Sequence, residues 1–102
     1  MDAALIRLVT RAAREGLHLD PMDGHAHTAG TAAPDTLNRL RARRDDITAL
    51  LAGGCAACGA TPWIREHDTS IPWCRPHARQ RGEQLLRHER PDLLADDRRP
   101  AP

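Results

Sequence analysis

The chain has 102 residues, which allows one compact domain or two very small modules. Its 15 basic residues are all Arg and stand against 14 acidic ones, a net charge of +1 that excludes a globally basic nucleic-acid protein or an acidic tail protein but leaves room for a local patch. Ala supplies 17 residues, Leu, Ile and Val together another 17, and Phe and Tyr are absent, so large side chains are scarce and a staple such as a metal is expected.

The first predicted element is an amphipathic helix from Ala3 to Glu15. Leu5, Leu8, Val9, Ala12 and Ala13 fall on one face, and Arg7, Arg11 and Arg14 on the other. Gly16 suits a left-handed cap. Leu17 and Leu19 then alternate with His18, and Asp23-Gly24 is a hairpin turn signal, so a two-stranded hairpin is expected between Leu17 and Gly30. Pro21 lacks an N–H and should end the first strand or mark it as an edge. A second helix is expected from Pro34 to Ala52, with Leu37, Leu40, Ile47, Leu50 and Leu51 inward and Gly53-Gly54 as its stop. The last helix is expected over Ala78 to His88, with Leu85 and Leu86 inward, and residues 91–102 read as a disordered tail.

All three cysteines fall in one pattern, Cys55-x2-Cys58-x15-Cys74-x2-His77. Zinc takes four N or S ligands in a tetrahedron, and two close pairs joined by a loop of this size can supply them. Gly53, Gly54 and Gly59 give the first pair the freedom of a knuckle. The expected cofactor is therefore a structural Zn2+ on Cys55, Cys58, Cys74 and His77. His67, in the intervening loop, is the rival fourth ligand. The spacing resembles a treble-clef zinc finger, with a zinc ribbon as the other option. Four ligands close the shell, nothing places Glu66 or Glu83 as a base, and the deaminase signature is missing, so an enzyme is not expected. Trp63 and Trp73 read as the apolar plug of this small unit. The pair His25-x-His27 lies on one strand face and reads as a polar hairpin surface.

Residues 3 to 52 resemble the TubC N-terminal docking domain. The likeness is carried by the Leu-rich first helix closed by Gly16, then Leu17-His18-Leu19, Asp23-Gly24, Gly30-Thr31, Pro34-Asp35 and Leu37-x-x-Leu40-x-Ala42-x-Arg44-x-x-Ile47-x-x-Leu50-Leu51. It covers about half of the chain, and its order and spacing are more specific than any single motif. The resemblance implies helices packed on a β-hairpin that receives a short C-terminal segment of an upstream subunit. By position, the partner-binding residues would be His18, Leu19, His25 and His27.

Together these readings predict an α+β protein of two modules, a docking-like unit at 1–54 and a zinc-binding unit at 55–90. The expected task is non-catalytic docking of a protein or peptide partner. The alternative is a zinc-dependent nucleic-acid-binding accessory of a bacterial mobile element, with Arg79, Arg81 and Arg87 on the last helix as the contacts. A homodimer is compatible with either. No apolar run approaches the ~18 residues of a membrane span, and no signal-peptide pattern opens the chain, so a cytoplasmic location without membrane contact is expected.

Overall fold

The computed structural model describes residues 2–22 and 25–89. The expected disordered tail at 91–102 and the Asp23-Gly24 turn lie outside them. The first helix, α1 (Ala3–Glu15), is fixed at both ends by local chemistry. The Asp2 carboxylate accepts from the Leu5 N–H at 3.0 Å, and Gly16, at φ 108°, closes the C-terminus in the left-handed conformation. Leu5, Ile6, Val9 and Ala12 are buried. Ile6 joins the expected face, while Leu8 sits at its margin.

The strands β1 (Leu17–Met22) and β2 (His25–Gly30) pair antiparallel, Leu17 opposite Gly30 and Met22 opposite His25. Pro21 does not end β1. In a two-stranded sheet each strand has an open edge, and a residue without an N–H is tolerated there. Period-2 alternation sends Leu17 and Leu19 into the core and leaves His18 and Asp20 exposed.

The expected single helix from Pro34 to Ala52 is two helices, α2 (Pro34–Ala42) and α3 (Arg44–Ala52), separated at Arg43. The reason is tertiary. α2 packs on α1, whereas α3 packs on the β1–β2 hairpin, so the chain must change direction between them. Arg43 (φ −119°, ψ 26°) makes the turn and bonds both Asp2 and Asp46. Leu40 points inward from α2, and Ile47 and Leu51 from α3. Glu15 at the end of α1 accepts from the Ala33 N–H at 2.9 Å and from the buried Thr36 hydroxyl at 3.1 Å, tying α1 to the start of α2.

The C-terminal part holds a minimal hairpin, β3 (Ile64–Arg65) with β4 (Pro72–Trp73), and the long helix α4 (Arg75–Glu89). Among the described residues, four helices and two antiparallel hairpins make the fold α+β. The core does not stop at the expected boundary after residue 54. Cys55, Ile71, Trp73 and Cys74 belong to the same buried cluster as the α1, β1, α2 and α3 residues. Arg65 reinforces the join, donating to the Leu51 carbonyl at 2.8 Å and the Ser70 carbonyl at 2.9 Å. No helix among the described residues is long and apolar enough to cross a membrane.

Candidate metal centre

Cys55-Ala56-Ala57-Cys58 follows α3 as a tight turn. The Gly59 N–H donates to the Cys55 carbonyl at 2.8 Å, and the Cys55 N–H donates to the Ala60 carbonyl at 2.8 Å. Gly59 takes φ 75°, which favours glycine. Gly54 answers a different need. A Cβ there would lie 2.4 Å from the Gly59 carbonyl oxygen and 2.7 Å from that of Ala60, so only glycine lets the turn fold back on itself. The Ala56 N–H donates to the Pro72 carbonyl at 2.9 Å, which ties this turn to β4.

The second pair lies where β4 ends and α4 begins. Cys74 precedes the helix and accepts the Ala78 N–H on its carbonyl at 2.8 Å. His77, one turn in, projects to the same side as Cys74. The helix starts at Arg75, with Pro76 in its first turn where a missing N–H is harmless.

These elements bring Cys55, Cys58, Cys74 and His77 together. Their ligand atoms all lie within 4.8 Å of one another, close enough to hold a metal ion. Cys55 Sγ is 3.6 Å from His77 Nδ1, Cys58 Sγ is 3.7 Å from Cys74 Sγ, and Cys74 Sγ is 3.0 Å from His77 Nδ1. The cysteines are free thiols. His67, the rival ligand, is 96% exposed in the β3–β4 turn beside Asp68 and takes no part in the group.

The thiols are electrostatically unequal. Burial pushes Cys55 up, but backbone N–H groups of Cys74, Ala57 and Cys58 aimed at its sulfur outweigh this and lower its pKa to about 6. At Cys74 the His77 N–H acts downward, yet burial and the neighbouring Cys55 and Cys58 sulfurs win and raise it. Crowded sulfurs resist a second negative charge, and a bound cation removes that resistance.

Glu66 is occupied by structure. Its carboxylate accepts from Arg81 Nε at 2.8 Å, Arg81 Nη2 at 3.2 Å, Trp73 Nε1 at 3.1 Å and Thr69 Oγ1 at 3.1 Å. Arg81 also donates to Thr10 Oγ1 at 2.8 Å and lies over the Trp73 ring. This node links α1, the β3–β4 hairpin and α4. Nothing in the local pattern announces it, because its partners are separated by up to 71 residues.

The remaining sequence-derived candidates are dispersed. Leu19 is 5% exposed and is a core residue, so its side chain is not available to a partner. His18 Nδ1 sits 3.2 Å from the Asp68 carbonyl, bridging β1 to the β3–β4 turn. His25 and His27 lie in β2 opposite Met22 and Asp20. Arg81 is withdrawn from any phosphate contact by the Glu66 node, a correction to its expected role. Arg79 is exposed, and Arg87 lies further along α4. The expected tryptophan plug is half right: Trp73 is buried, whereas Trp63 is 61% exposed.

Comparison with protein-family models, with curated proteins and with solved structures finds no match. The case for a function therefore rests on the geometry of this chain.

Proposed function

We propose that this chain is a non-catalytic interaction protein whose fold is closed by a structural zinc ion on Cys55, Cys58, Cys74 and His77. The observation that carries the reading is the spacing of those four donors. Zinc bonds of about 2.3 Å to sulfur and about 2.0 Å to nitrogen give tetrahedral edges of roughly 3.8 Å between sulfurs and roughly 3.5 Å between sulfur and nitrogen. The Cys58–Cys74 separation of 3.7 Å and the Cys55–His77 separation of 3.6 Å match these edges, while Cys74–His77, at 3.0 Å, is shorter than its edge. Three thiolates and an imidazole favour zinc over hard, oxygen-seeking cations.

Four protein ligands leave no coordination position for a substrate or an activated water. Glu66 is not a free base either, since its carboxylate is bound by Arg81, Trp73 and Thr69. A closed metal centre joining a knuckle, a hairpin and a helix start contributes folding free energy directly. It lets a chain short of large apolar residues hold a defined surface, and presenting such a surface to a partner protein is the role this design suits.

The test is capture from the native host with the tagged full-length chain loaded with zinc, scored for protein and nucleic acid together. A defined protein partner, lost with Cys58→Ser and unaffected by nuclease, is expected. Recovery of nucleic acid alone would overturn the reading.

A further inference from the structure

A groove of about 350 Å³ runs between the β3–β4 hairpin and α4. Its walls are Trp63 and Ile64 on one side and Ala78, Arg79, Gly82 and Leu85 on the other. Trp63 and Ile64 are the exposed large apolar side chains of the described surface, at 61% and 48%. Single exposed apolar residues are ordinary, but two beside a concave apolar surface mark a binding face. Gly82 deepens the groove. It sits inside a 15-residue helix, and a Cβ built on it meets no atom within 4 Å. No close neighbour therefore requires glycine there, and the space above it is open.

Free basic groups outnumber acidic ones around the groove, Arg75 and Arg79 standing against Glu83, which lies one turn after Arg79 on α4. Glu66, the lining carboxylate, is bound by Arg81, and Arg65 is committed to two backbone carbonyls. The basic groups available at the groove are Arg79, which lines it, and Arg75, which lies beside it over the Trp63 ring at 5.7 Å.

We propose that this groove docks an acidic peptide segment of a partner protein, with one large aliphatic or aromatic side chain of that segment seated over Gly82 between Trp63 and Leu85. The inference rests on the interaction reading above and gives it a surface and a partner chemistry. Carboxylates beside the anchor would meet Arg75 and Arg79, and the apolar walls would take the anchor itself. A second copy fits less well, because a twofold contact at this face would set the same arginines against each other. Nucleic acid also fits less well. Two arginines neutralise about two phosphates, which changes affinity only about tenfold between 50 and 200 mM salt.

The experiment uses the zinc-loaded full chain and synthetic peptides of about twelve residues. One set carries a central Leu, Met or Ile among Asp and Glu, and the other replaces the acids with Arg. Binding is read by the blue shift of Trp63 emission and by labelled-peptide anisotropy. Acidic peptides should bind at least about tenfold more tightly than their basic counterparts. Gly82→Leu fills the groove with a better helix former, so it should melt no lower than the wild type while weakening the acidic peptides at least about tenfold. Arg75→Glu with Arg79→Glu should reverse the charge preference.

The proposal is overturned if no acidic peptide binds below about 1 mM, or if Gly82→Leu binds as the wild type does. It is also overturned if a thymidine oligonucleotide of about twelve residues outcompetes every peptide, or if the groove residues instead mediate self-association that Gly82→Leu abolishes. Host capture separates the two levels. A partner held equally by the wild type and Gly82→Leu removes the groove but keeps the interaction function, whereas no partner for either chain removes the function.

Discussion

Arg81→Met tests whether the Arg81–Glu66 node joins the two ends of the chain. The substitution keeps most of the side-chain volume and deletes the charge. It removes two hydrogen bonds to Glu66, at 2.8 and 3.2 Å, and one to Thr10, at 2.8 Å. Both charged side chains are mostly shielded, at 14% and 15% exposure, so Glu66 would be left as a carboxylate without its cation. Breaking a buried pair from one side costs about 3–5 kcal/mol, and the residual exposure puts this case near 3 kcal/mol. That is a large part of the roughly 5–15 kcal/mol that holds a domain together. For a chain of this size it corresponds to a fall in Tm of about 12–24 °C. Urea and thermal unfolding of the zinc-loaded protein measure it. Arg79→Met, on the same helix but exposed, should stay within about 0.5 kcal/mol of the wild type. Adding Glu66→Met to Arg81→Met should recover at least half of the loss, since no lone charge remains, with the Trp73 indole N–H left to account for about 1 kcal/mol. A loss below about 0.5 kcal/mol for Arg81→Met would refute the reasoning, because the pair would then be behaving as a surface ion pair.

Three further outcomes follow from the geometry. Leu51→Ala and Ile71→Ala remove fully buried side chains from opposite sides of the expected boundary at residue 54, and each should cost about 2–5 kcal/mol within one cooperative transition of the zinc-loaded chain, read by circular dichroism and tryptophan emission together. The Ala33 N–H, with the Thr36 hydroxyl and Arg11, holds Glu15 below its ordinary 4.5. Its contribution is therefore complete above pH 4.5 and is lost as the pH falls through the lower folded value, so the stability gap between wild type and Glu15→Gln should narrow below pH 4.5 in a series of urea titrations. Gly54→Ala should weaken metal retention against a competing chelator far more than Gly59→Ala, because its Cβ meets two carbonyl oxygens, whereas the Gly59 Cβ meets open space and carries only backbone strain.

What could be read from the residues was mostly local. Gly16, Pro34 and Gly53 punctuate the helices through nearest-neighbour chemistry, and the alternation of Leu17, His18 and Leu19 reports a strand because one face is buried. The ligand quartet was legible for the same reason: each pair is a short-range motif, and only the loop between them must close. The break at Arg43 was not, since its neighbours are compatible with a continuous helix and it is the different packing of α2 and α3 that divides them. Thr36 and Glu66 were missed because their partners come from distant elements. Size and apolarity place both tryptophans in the interior, yet Trp63, just ahead of β3, faces outward, whereas Trp73 in β4 faces inward. The groove is a product of that difference together with Gly82, and no spacing along the chain encodes it.

The central claim, that a zinc ion on four protein ligands closes this fold, is tested most directly by metal stoichiometry coupled to unfolding. Elemental analysis of the purified chain, followed by chelation and reconstitution under circular dichroism, should give one zinc per chain. Removing the metal should melt the part after Gly54, and adding zinc should restore it. Cys58→Ser and His77→Ala should each lose the metal. Zinc that stays well below one per chain after reconstitution, or a spectrum unchanged by chelation, would contradict the account.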